Sequence, residues 1–423
     1  MNEDFLHYVW KYKLFSNANL KTTLHEELQV LKVGLHNTNA GPDFLNARLK
    51  IAEQTWAGNV EIHIKSSDWY LHKHEVDKNY DSVILHVVWE NDASIYRQNN
   101  QAIPTLVLKD LVAKNVLENY RSLLFAPQKW IACEAVIAKI DAFTLVNWKE
   151  RLFFNRLERK SKEIKGLLDK ENSNFEAVLF CLLAKNFGLK INGEAFLRLA
   201  QSVEFSIIQK TSFNKLQFSA LLFGQAGFLE EDLQESYYEK LKNEYAYLKH
   251  KFGLESIPKN TFSFFRMRPN NFPTLRIAQL VGLFQKHQNL FSKIIAIQNL
   301  KDFYALFSIE IDEFWKTHYN FESISKSSSK KLTKPFIDLL VINTIIPLKF
   351  LYEKRTGVVN EEFYLSLLQQ IKPEKNNIIS KFKSLKIEVN NAYDTQALLE
   401  LKNNFCTPKR CLECPIGLKV LGK

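Results

Sequence analysis

The pattern of hydrophobic and polar residues divides the chain near residue 112. Before that point, apolar residues alternate with polar ones or form short unbroken runs, and both patterns are typical of strands. The run over 83–89 is almost entirely apolar and predicts a central strand buried on both faces. An amphipathic helix over 2–16 and a short helix over 68–79 are also expected. The other predicted strands are 28–35, 44–52, 59–65 and 103–108.

After residue 112, hydrophobic residues recur with the helical period of about 3.6. The breaks fall at clusters of Gly, Pro, Asn and Ser, as at helix ends. The most apolar stretch, 336–350, contains Asp338 and Lys349, so we expect a buried helix of a soluble protein and not a membrane span. The predicted helices are 142–170, 175–188, 193–202, 214–223, 232–251, 274–298, 300–317, 333–354, 360–371 and 394–403.

These patterns predict three regions. An α/β domain with a mixed sheet occupies 1–125, a larger all-α domain occupies 126–400, and a cysteine-containing tail occupies 401–423.

The net charge of +11 lies entirely in the second part of the chain. Residues 1–130 carry 14 basic and 15 acidic side chains, whereas residues 131–423 carry 43 and 31. A basic part of this size favours an anionic partner, and nucleic acid, with DNA expected first, is the most common. The excess of Lys over Arg, 45 to 12, is also what an AT-rich genome produces, so both explanations stay open.

The sequence gives no sign of export or of a membrane partner. Its first residues are acidic and no long apolar run follows, unlike a signal peptide. Five cysteines, three of them within nine residues, are not the pattern of a secreted disulfide scaffold. We therefore expect a cytoplasmic protein.

The segment 41–65 carries the most informative polar residues. Period-two alternation in the third predicted strand places Glu61, His63 and Lys65 on one face and apolar residues on the other. Asp43 stands at the start of the neighbouring strand. Two carboxylates at adjacent strand ends suit Mg²⁺ or Mn²⁺, which lowers the pKa of a bound water, while a nearby cation or base assists the attack. Exposed polar positions on a half-buried sheet would give the same pattern.

The order of helix, strand, Pro-Asp strand, Glu strand, helix and central strand resembles the PD-(D/E)xK nuclease superfamily, whose fold is restriction-endonuclease-like. The resemblance covers roughly residues 1–112 and implies that Asp43 and Glu61 bind the metal. His63 replaces the Lys of the pattern, so either His63 or Lys65 would assist catalysis. The superfamily often adds a Glu from the first helix. The candidates for this acid are Glu3, Glu26 and Glu27.

The histidines offer a different chemistry. Seven of the ten precede residue 87. His72 and His74, together with Asp77, His63 and His86, would build a transition-metal site, for example for zinc. Alternatively, His72 and His74 line a nuclease cleft and contact phosphate, and His86 is a buried, hydrogen-bonded histidine.

Half of the twelve arginines lie in two short segments of the helical part. Arginine makes paired hydrogen bonds to phosphate, so we predict that these six side chains bind nucleic acid. A rigid corner held by arginine–carboxylate pairs is the alternative, since Pro269 and Pro273 fix the second segment. The six residues are Arg151, Arg156, Arg159, Arg266, Arg268 and Arg276.

The tail has the strongest metal-type spacing in the chain. Cys406, Cys411 and Cys414 follow a Cys-x4-Cys-x2-Cys pattern, and thiolates so spaced can converge on Zn²⁺ or on a [4Fe–4S] cluster. Cys133 is the best candidate for a fourth ligand, because Cys181 lies in an apolar helix and is typical of a core residue. Some PD-(D/E)xK nucleases hold such a cluster with one distant Cys and a C-terminal group of three, although their distant Cys precedes the nuclease motifs. Reduced thiols without a metal are the remaining alternative.

Nearly the whole chain also resembles an uncharacterised bacterial family of proteins with a domain of unknown function (DUF). The resemblance rests on GPDF at 41–44, GNVEIH at 58–63, YDSVILHVV at 80–88, RMRPNNFPTLRIAQL at 266–280 and CLECPIG at 411–417. It implies the architecture and supplies no activity.

Three functions therefore stay open. The first is a Mg²⁺- or Mn²⁺-dependent nuclease acting on DNA. The second is a non-catalytic nucleic-acid-binding protein with a degenerate nuclease fold, which the His in place of Lys favours. The third is a metal hydrolase that is built on His72 and His74 and acts on a small substrate. The first requires the carboxylates of Asp43 and Glu61 to approach one another in the fold.

Overall fold

A computed structural model describes residues 2–37, 40–125 and 129–422. The chain forms two compact units. The sheet unit comprises Met1–Leu152, Asn376–Glu388 and Leu398–Lys423, and the helical unit comprises Phe153–Lys375 and Val389–Ala397. The fold class predicted from the hydrophobic pattern, a mixed sheet followed by a large helical part, is confirmed.

The strands found among the described residues are β1 (Leu28–Lys32), β2 (Leu35–His36), β3 (Phe44–Ile51), β4 (Gln54–Lys65), β5 (Val83–Glu90) and β6 (Thr105–Val107). They form one sheet in the order β1-β3-β4-β5-β6, and β2 pairs with β3 outside this path. The strands β1, β2 and β4 run antiparallel to β3, whereas the β4–β5 and β5–β6 pairs are parallel.

The helices of the described residues follow in chain order. They are α1 (Glu3–Lys11), α2 (Asp68–Leu71), α3 (Lys114–Phe125), α4 (Ala142–Lys170), α5 (Phe175–Phe187), α6 (Leu189–Gln201), α7 (Phe205–Ser212), α8 (Lys215–Gln225), α9 (Ser236–Phe252), α10 (Pro273–Lys286), α11 (Leu290–Ala296), α12 (Leu300–Leu306), α13 (Glu313–Thr317), α14 (Lys334–Leu340), α15 (Ile346–Thr356), α16 (Glu361–Gln369), α17 (Asn377–Ser384), α18 (Ala392–Leu401) and α19 (Pro415–Leu421).

Both faces of the sheet are covered. Helix α1 buries Phe5 and its apolar neighbours in a core shared with Ile62 of β4 and with β5. On the other face, α2 and the turn after it carry Trp69 into a smaller core with Val83. The face of β4 that alternation alone would leave to solvent is therefore closed, which explains why Glu61 is only 5% exposed.

The C-terminal residues complete the sheet unit. Leu421 of α19 is buried in the core that α1 shares with the sheet. The side-chain amide of Asn119 in α3 donates to the carbonyl of Val420 over 3.0 Å, and the Tyr8 hydroxyl donates to the carbonyl of Leu418 over 3.5 Å. These contacts hold the end of the chain beside α1 and α3.

The helical unit is built on one continuous hydrophobic core. Within the described part of the chain, only the helical stretch Lys334–Thr356 is long and apolar enough to cross a membrane, and 72% of its most apolar window is buried inside the protein. Burial to this extent is what a core helix shows, in agreement with the interpretation of 336–350.

Candidate metal-dependent active site

Asp43 and Glu61 meet across the antiparallel pair of β3 and β4. Phe44 stands opposite Val60 in this register, so the two acids occupy neighbouring positions. The backbone N–H of Asp43 donates to Oε2 of Glu61 over 3.2 Å. In return, the backbone N–H of Ile62 donates to Oδ2 of Asp43 over 3.0 Å. Each carboxylate thus accepts a hydrogen bond from the strand that carries the other, and the two acids of the motif lie together.

The Glu61 carboxylate is buried beside a second carboxylate. Burial, followed by the charge of Asp43, raises the pKa of Glu61 to about 9. Glu61 is therefore protonated at neutral pH unless a positive charge lies next to it. A divalent cation supplies such a charge and favours the ionised form that ligates metal. The pair fits a metal ion by charge as well as by position.

Helix α1 brings Glu3 and His7 to the same place, because residues four apart share one helix face. His7 Nε2 lies 3.2 Å from Asp43 Oδ2. Burial lowers the pKa of His7, but the hydrogen bond and charge of Asp43 outweigh it and the pKa is raised. Burial, followed by the charge of Asp43, raises the pKa of Glu3. Glu3 is thus a third acid near the pair.

The other two acids considered for this role lie along the β1 edge of the sheet. The Glu26 carboxylate accepts a hydrogen bond from the Thr22 hydroxyl over 3.3 Å, and the backbone of Glu27 forms an isolated antiparallel β-bridge with that of Lys21. The sequence hypothesis did not include His7. Its spacing of four residues from Glu3 on an amphipathic helix was the available signal.

Three histidines gather on the other side of Glu61. The ligand nitrogens of His63, His72 and His74 all lie within 4.8 Å of one another. His63 Nε2 is 3.1 Å from His72 Nδ1. Glu61 Oε1 lies 3.5 Å from His63 Nε2 and 3.4 Å from His74 Nε2. Glu61 therefore faces Asp43 with one oxygen and the histidine triad with the other.

Of these distances, 3.1 Å between His63 and His72 and 3.4 Å between His74 and Glu61 match those of ligands around one ion. Metal–ligand bonds of about 2.1 Å place adjacent ligands roughly 3.0–3.4 Å apart. His86, which is fully buried, holds its Nε2 2.8 Å from His63 Nδ1. A partner at the second nitrogen of a metal-binding imidazole fixes the orientation of the ring. Imidazole nitrogens favour zinc and similar ions, whereas the Asp43 side of Glu61 favours Mg²⁺ or Mn²⁺.

A strained turn positions His72 and His74. The residue between them, Lys73, has a left-handed backbone with φ 61°. The backbone N–H of Lys73 donates to the Tyr70 carbonyl and that of His74 to the Trp69 carbonyl, both over 3.0 Å, which is a helix-ending turn normally built with Gly. A left-handed non-Gly residue costs about 1–3 kcal/mol, and such strain is concentrated at functional sites.

The buried imidazoles are neutral. Burial, followed by the neighbouring histidines, lowers the pKa of His63 to about 3, and burial lowers that of His86. A neutral ring is the form that binds metal, but it does not supply the positive charge of the superfamily Lys.

Lys65 carries that charge and is exposed at the end of β4. Asp77 of the zinc hypothesis caps the following turn, accepting from the Asn79 N–H over 2.9 Å.

An open groove of about 970 Å³ runs along α1 within the sheet unit. His7 lies in its wall, so the groove reaches the residue that contacts Asp43. This volume is large enough to hold a small molecule, or a part of that size of a larger substrate. Acidic Asp4 and Glu413 also line it, and Glu413 is paired with Arg410. The basic side chains in the wall are Lys11, Arg151, Lys409 and Arg410.

The six predicted arginines separate by environment. Arg156 is buried and donates to Asn343 Oδ1 over 2.9 Å. Arg276 is buried, donates to Asn271 and Gln279, and stacks on Phe336. Arg159 pairs with Glu163 over 3.0 Å. The prediction of a nucleic-acid contact therefore depends on Arg151, Arg266 and Arg268, which are exposed.

The four predicted cysteines come together in the sheet unit. Cys133, Cys406, Cys411 and Cys414 line one small cavity, and none of them is in a disulfide. Cys181, which was interpreted as a core residue, is buried in the helical unit.

The site is thus a carboxylate–histidine cluster of metal-binding type on a covered mixed sheet. The chain belongs to the family of proteins of unknown function DUF2851, whose model matches residues 3–377. No curated protein and no solved structure matches it.

Proposed function

We propose that the protein is a metal-dependent phosphodiesterase of the nuclease class, acting on DNA, with Mg²⁺ or Mn²⁺ held by Asp43 and Glu61. The observation that carries the proposal is the meeting of these carboxylates, each hydrogen-bonded to the strand of the other. A cation held by two acids is a Lewis acid for a phosphoryl oxygen and lowers the pKa of a bound water.

Residues of α1 complete the proposed chemistry. Glu3 supplies a third carboxylate, one helical turn before His7 on the same face of α1. His7 is held by Asp43, whose hydrogen bond and charge outweigh burial and raise the pKa of His7, and it lies in the wall of the groove, so it is the group best suited to move a proton between water and the leaving oxygen. His63 lies behind Glu61 and orients this ligand.

The groove supports an anionic substrate. Lys11, Arg151 and Lys409 place positive charge along its wall, whereas Arg410 is paired with Glu413, and phosphate contacts of this kind position a nucleic acid without reading its sequence. The five cysteines, none in a disulfide, accord with the cytoplasm, where nucleic acid is the most abundant polyanion.

A second candidate is a zinc-dependent hydrolase that acts on a small substrate. The histidine triad favours it, because His63, His72 and His74 place three nitrogen ligand atoms within 4.8 Å of one another, and Glu61 Oε1 lies 3.4 Å from His74 Nε2. In this case Asp43 and His7 would serve the substrate and not the metal.

One set of variants separates these functions. The full-length protein is incubated with single- and double-stranded DNA and Mg²⁺, Mn²⁺ or Zn²⁺. For the phosphodiesterase we expect cleavage with Mg²⁺ or Mn²⁺ that is lost in Asp43→Asn and reduced in His7→Gln. The matched control is Glu53→Gln, which removes an exposed carboxylate from the opposite end of the β3–β4 hairpin.

The other outcomes are equally definite. Tightly bound zinc that is lost in His72→Ala but kept in Asp43→Asn favours the small-substrate hydrolase. Salt-sensitive DNA binding without cleavage under any of the three ions overturns the enzyme and leaves the non-catalytic binding protein.

A further inference from the structure

The second cluster of metal-type ligands lies in the C-terminal residues of the sheet unit. Cys406 ends a single π-helical turn after α18, and Cys411 and Cys414 flank the short turn that leads into α19. Cys133 comes from the segment between α3 and α4. The four thiols line one cavity although they come from positions more than 270 residues apart in sequence.

The loop around Cys411 is shaped for a close approach. A Cβ at Gly417 would lie 2.0 Å from the carbonyl oxygen of Cys411, so only glycine allows α19 to pack against this loop. This packing fixes the positions of Cys411 and Cys414 at the wall of the cavity. The remaining wall is almost wholly apolar and includes Leu123, Ala132, Leu401, Phe405 and Ile416.

The backbone N–H groups of Gly417 and Ile416, at the start of α19, and the side chain of Trp148 lie beside the Cys414 sulfur. Trp148 is 3% exposed, and its indole N–H has no oxygen or nitrogen partner. N–H donors to a sulfur are a standard feature of bound clusters, where they tune the metal. An otherwise unpartnered buried donor is explained if this sulfur is a metal-bound thiolate.

The spacing of the sulfur atoms distinguishes a cluster from a single ion. Four thiolates on one zinc, with Zn–S bonds of about 2.3 Å, lie roughly 3.8 Å apart. Among the described residues, the histidine triad forms a group of ligand atoms within 4.8 Å of one another, and the four cysteines do not form such a group. An inorganic core of several iron and sulfide atoms holds its four cysteines farther apart than one zinc does.

We infer that Cys133, Cys406, Cys411 and Cys414 ligate an iron–sulfur cluster of the [4Fe–4S] type. The cluster joins the C-terminal tail to the segment after α3 and so fastens the end of the chain to the sheet unit. This inference does not depend on the proposed phosphodiesterase, because it concerns different residues and is measured without activity.

The first test uses the unmodified full-length protein, purified without oxygen. We expect about four iron and four acid-labile sulfide per chain, together with the broad visible absorbance of an iron–sulfur cluster. Stoichiometric zinc without sulfide overturns the cluster in favour of a zinc site. Protein that holds neither metal, even after incubation with ferrous iron, sulfide and thiol, overturns the site altogether.

The second test uses alanine variants of the cysteines. Cys133→Ala and Cys414→Ala should lose most of the iron and the visible absorbance, whereas Cys181→Ala, which removes the buried cysteine of α5, should keep both. If Cys133→Ala kept the full iron content, Cys133 would not be a ligand and the four-cysteine assignment would be overturned. If either variant fails to fold, the analysis of the unmodified protein still decides the question. Asp43→Asn should keep the cluster while losing cleavage, which separates the two proposals.

Discussion

Buried ionisable side chains occur in both units, but their surroundings differ. In the helical unit, Arg276 donates to Asn271 and Gln279, and Lys349 donates to the carbonyls of Ile295 and Ile297 over 2.8 and 3.0 Å. In the sheet unit, by contrast, the buried Glu61 lies beside the carboxylate of Asp43, and the buried His63 lies beside the imidazoles of His72 and His86.

The difference separates structure from function. A buried charge whose hydrogen bonds are all made by neutral oxygens is part of the packing and costs stability when it is removed. A buried group that faces its own kind is not stabilised by that neighbour, as the pKa of about 9 for Glu61 indicates. Clusters of the second kind mark sites that bind a charge from outside the chain.

The largest effect should come from Glu61→Gln, which keeps the size of the side chain and removes its charge. We expect the rate of DNA cleavage to fall by at least about a hundredfold, because the change removes the ligand that lies between Asp43 and the histidine triad. With a chelator present, the melting temperature should stay the same or rise, since Glu61 is protonated in the metal-free protein at neutral pH. Cleavage assays and thermal melts on the same samples measure both. A large loss of stability would make Glu61 a structural residue.

The opposite result is expected for Arg276→Met in the helical unit. The change leaves the oxygens of Asn271 and Gln279 without their donor and removes the stacking on Phe336, so we expect a loss of about 2 kcal/mol in the free energy of unfolding. Cleavage at a temperature where both proteins are folded should not change. Denaturant unfolding measures the loss, and Arg268→Met, an exposed neighbour, should change stability by less than about 0.5 kcal/mol.

The dependence of stability on pH tests the same contrast. In the unfolded chain Glu61 loses its proton near its ordinary pKa of 4.5, whereas in the metal-free folded protein it keeps the proton up to about 9. The folded state therefore binds more protons between these values, and this contribution to stability is present below pH 4.5 and is lost as the pH rises towards 9. We expect the stability of the unmodified protein to fall over this pH range and that of Glu61→Gln not to fall. With Mn²⁺ bound, the fall in the unmodified protein should be smaller.

The titration of His63 changes the stability in the opposite direction with pH. The pKa of His63 is lowered from 6.5 to about 3 in the folded protein, so the unfolded state binds the proton first as the pH falls. Stability from this group is present above pH 6.5 and is lost as the pH falls towards 3. Melting curves of the chelated protein from pH 4 to 9 should show both slopes. A flat profile would contradict the burial of the two groups.

Much of the sheet could be predicted because its signals are local. The apolar run of β5 and the alternation in β4 are properties of adjacent residues, and both strands were found. The helix predicted over 274–298 is instead two helices: the first ends at Lys286, where His287 takes an extended backbone, and Asn289, with a left-handed backbone at φ 53°, precedes the second. No periodicity in sequence reports that turn.

The candidate site was only partly visible in the sequence for the same reason. The pairing of Asp43 with Glu61 follows from a hairpin register, which a Pro-Asp strand followed by a Glu strand indicates. The burial of Glu61 could not be derived, since alternation predicts two faces but not that the segment with Trp69 closes one of them. The approach of His7 is a contact between distant segments and left no local pattern.

The smallest effect concerns the groove beside α1. We expect Lys11→Ala and Arg151→Ala to raise KM for DNA several-fold with little change in kcat, because contacts with phosphate bind substrate and transition state alike. The slope of log affinity against log salt should fall by about one for each lost contact. The control is Arg355→Ala, which removes an exposed arginine of the helical unit outside the groove. Equal effects from the control and the groove variants would assign DNA binding to the overall excess of lysine and arginine. The difference between the sheet unit and the helical unit would then be limited to their buried ionisable groups.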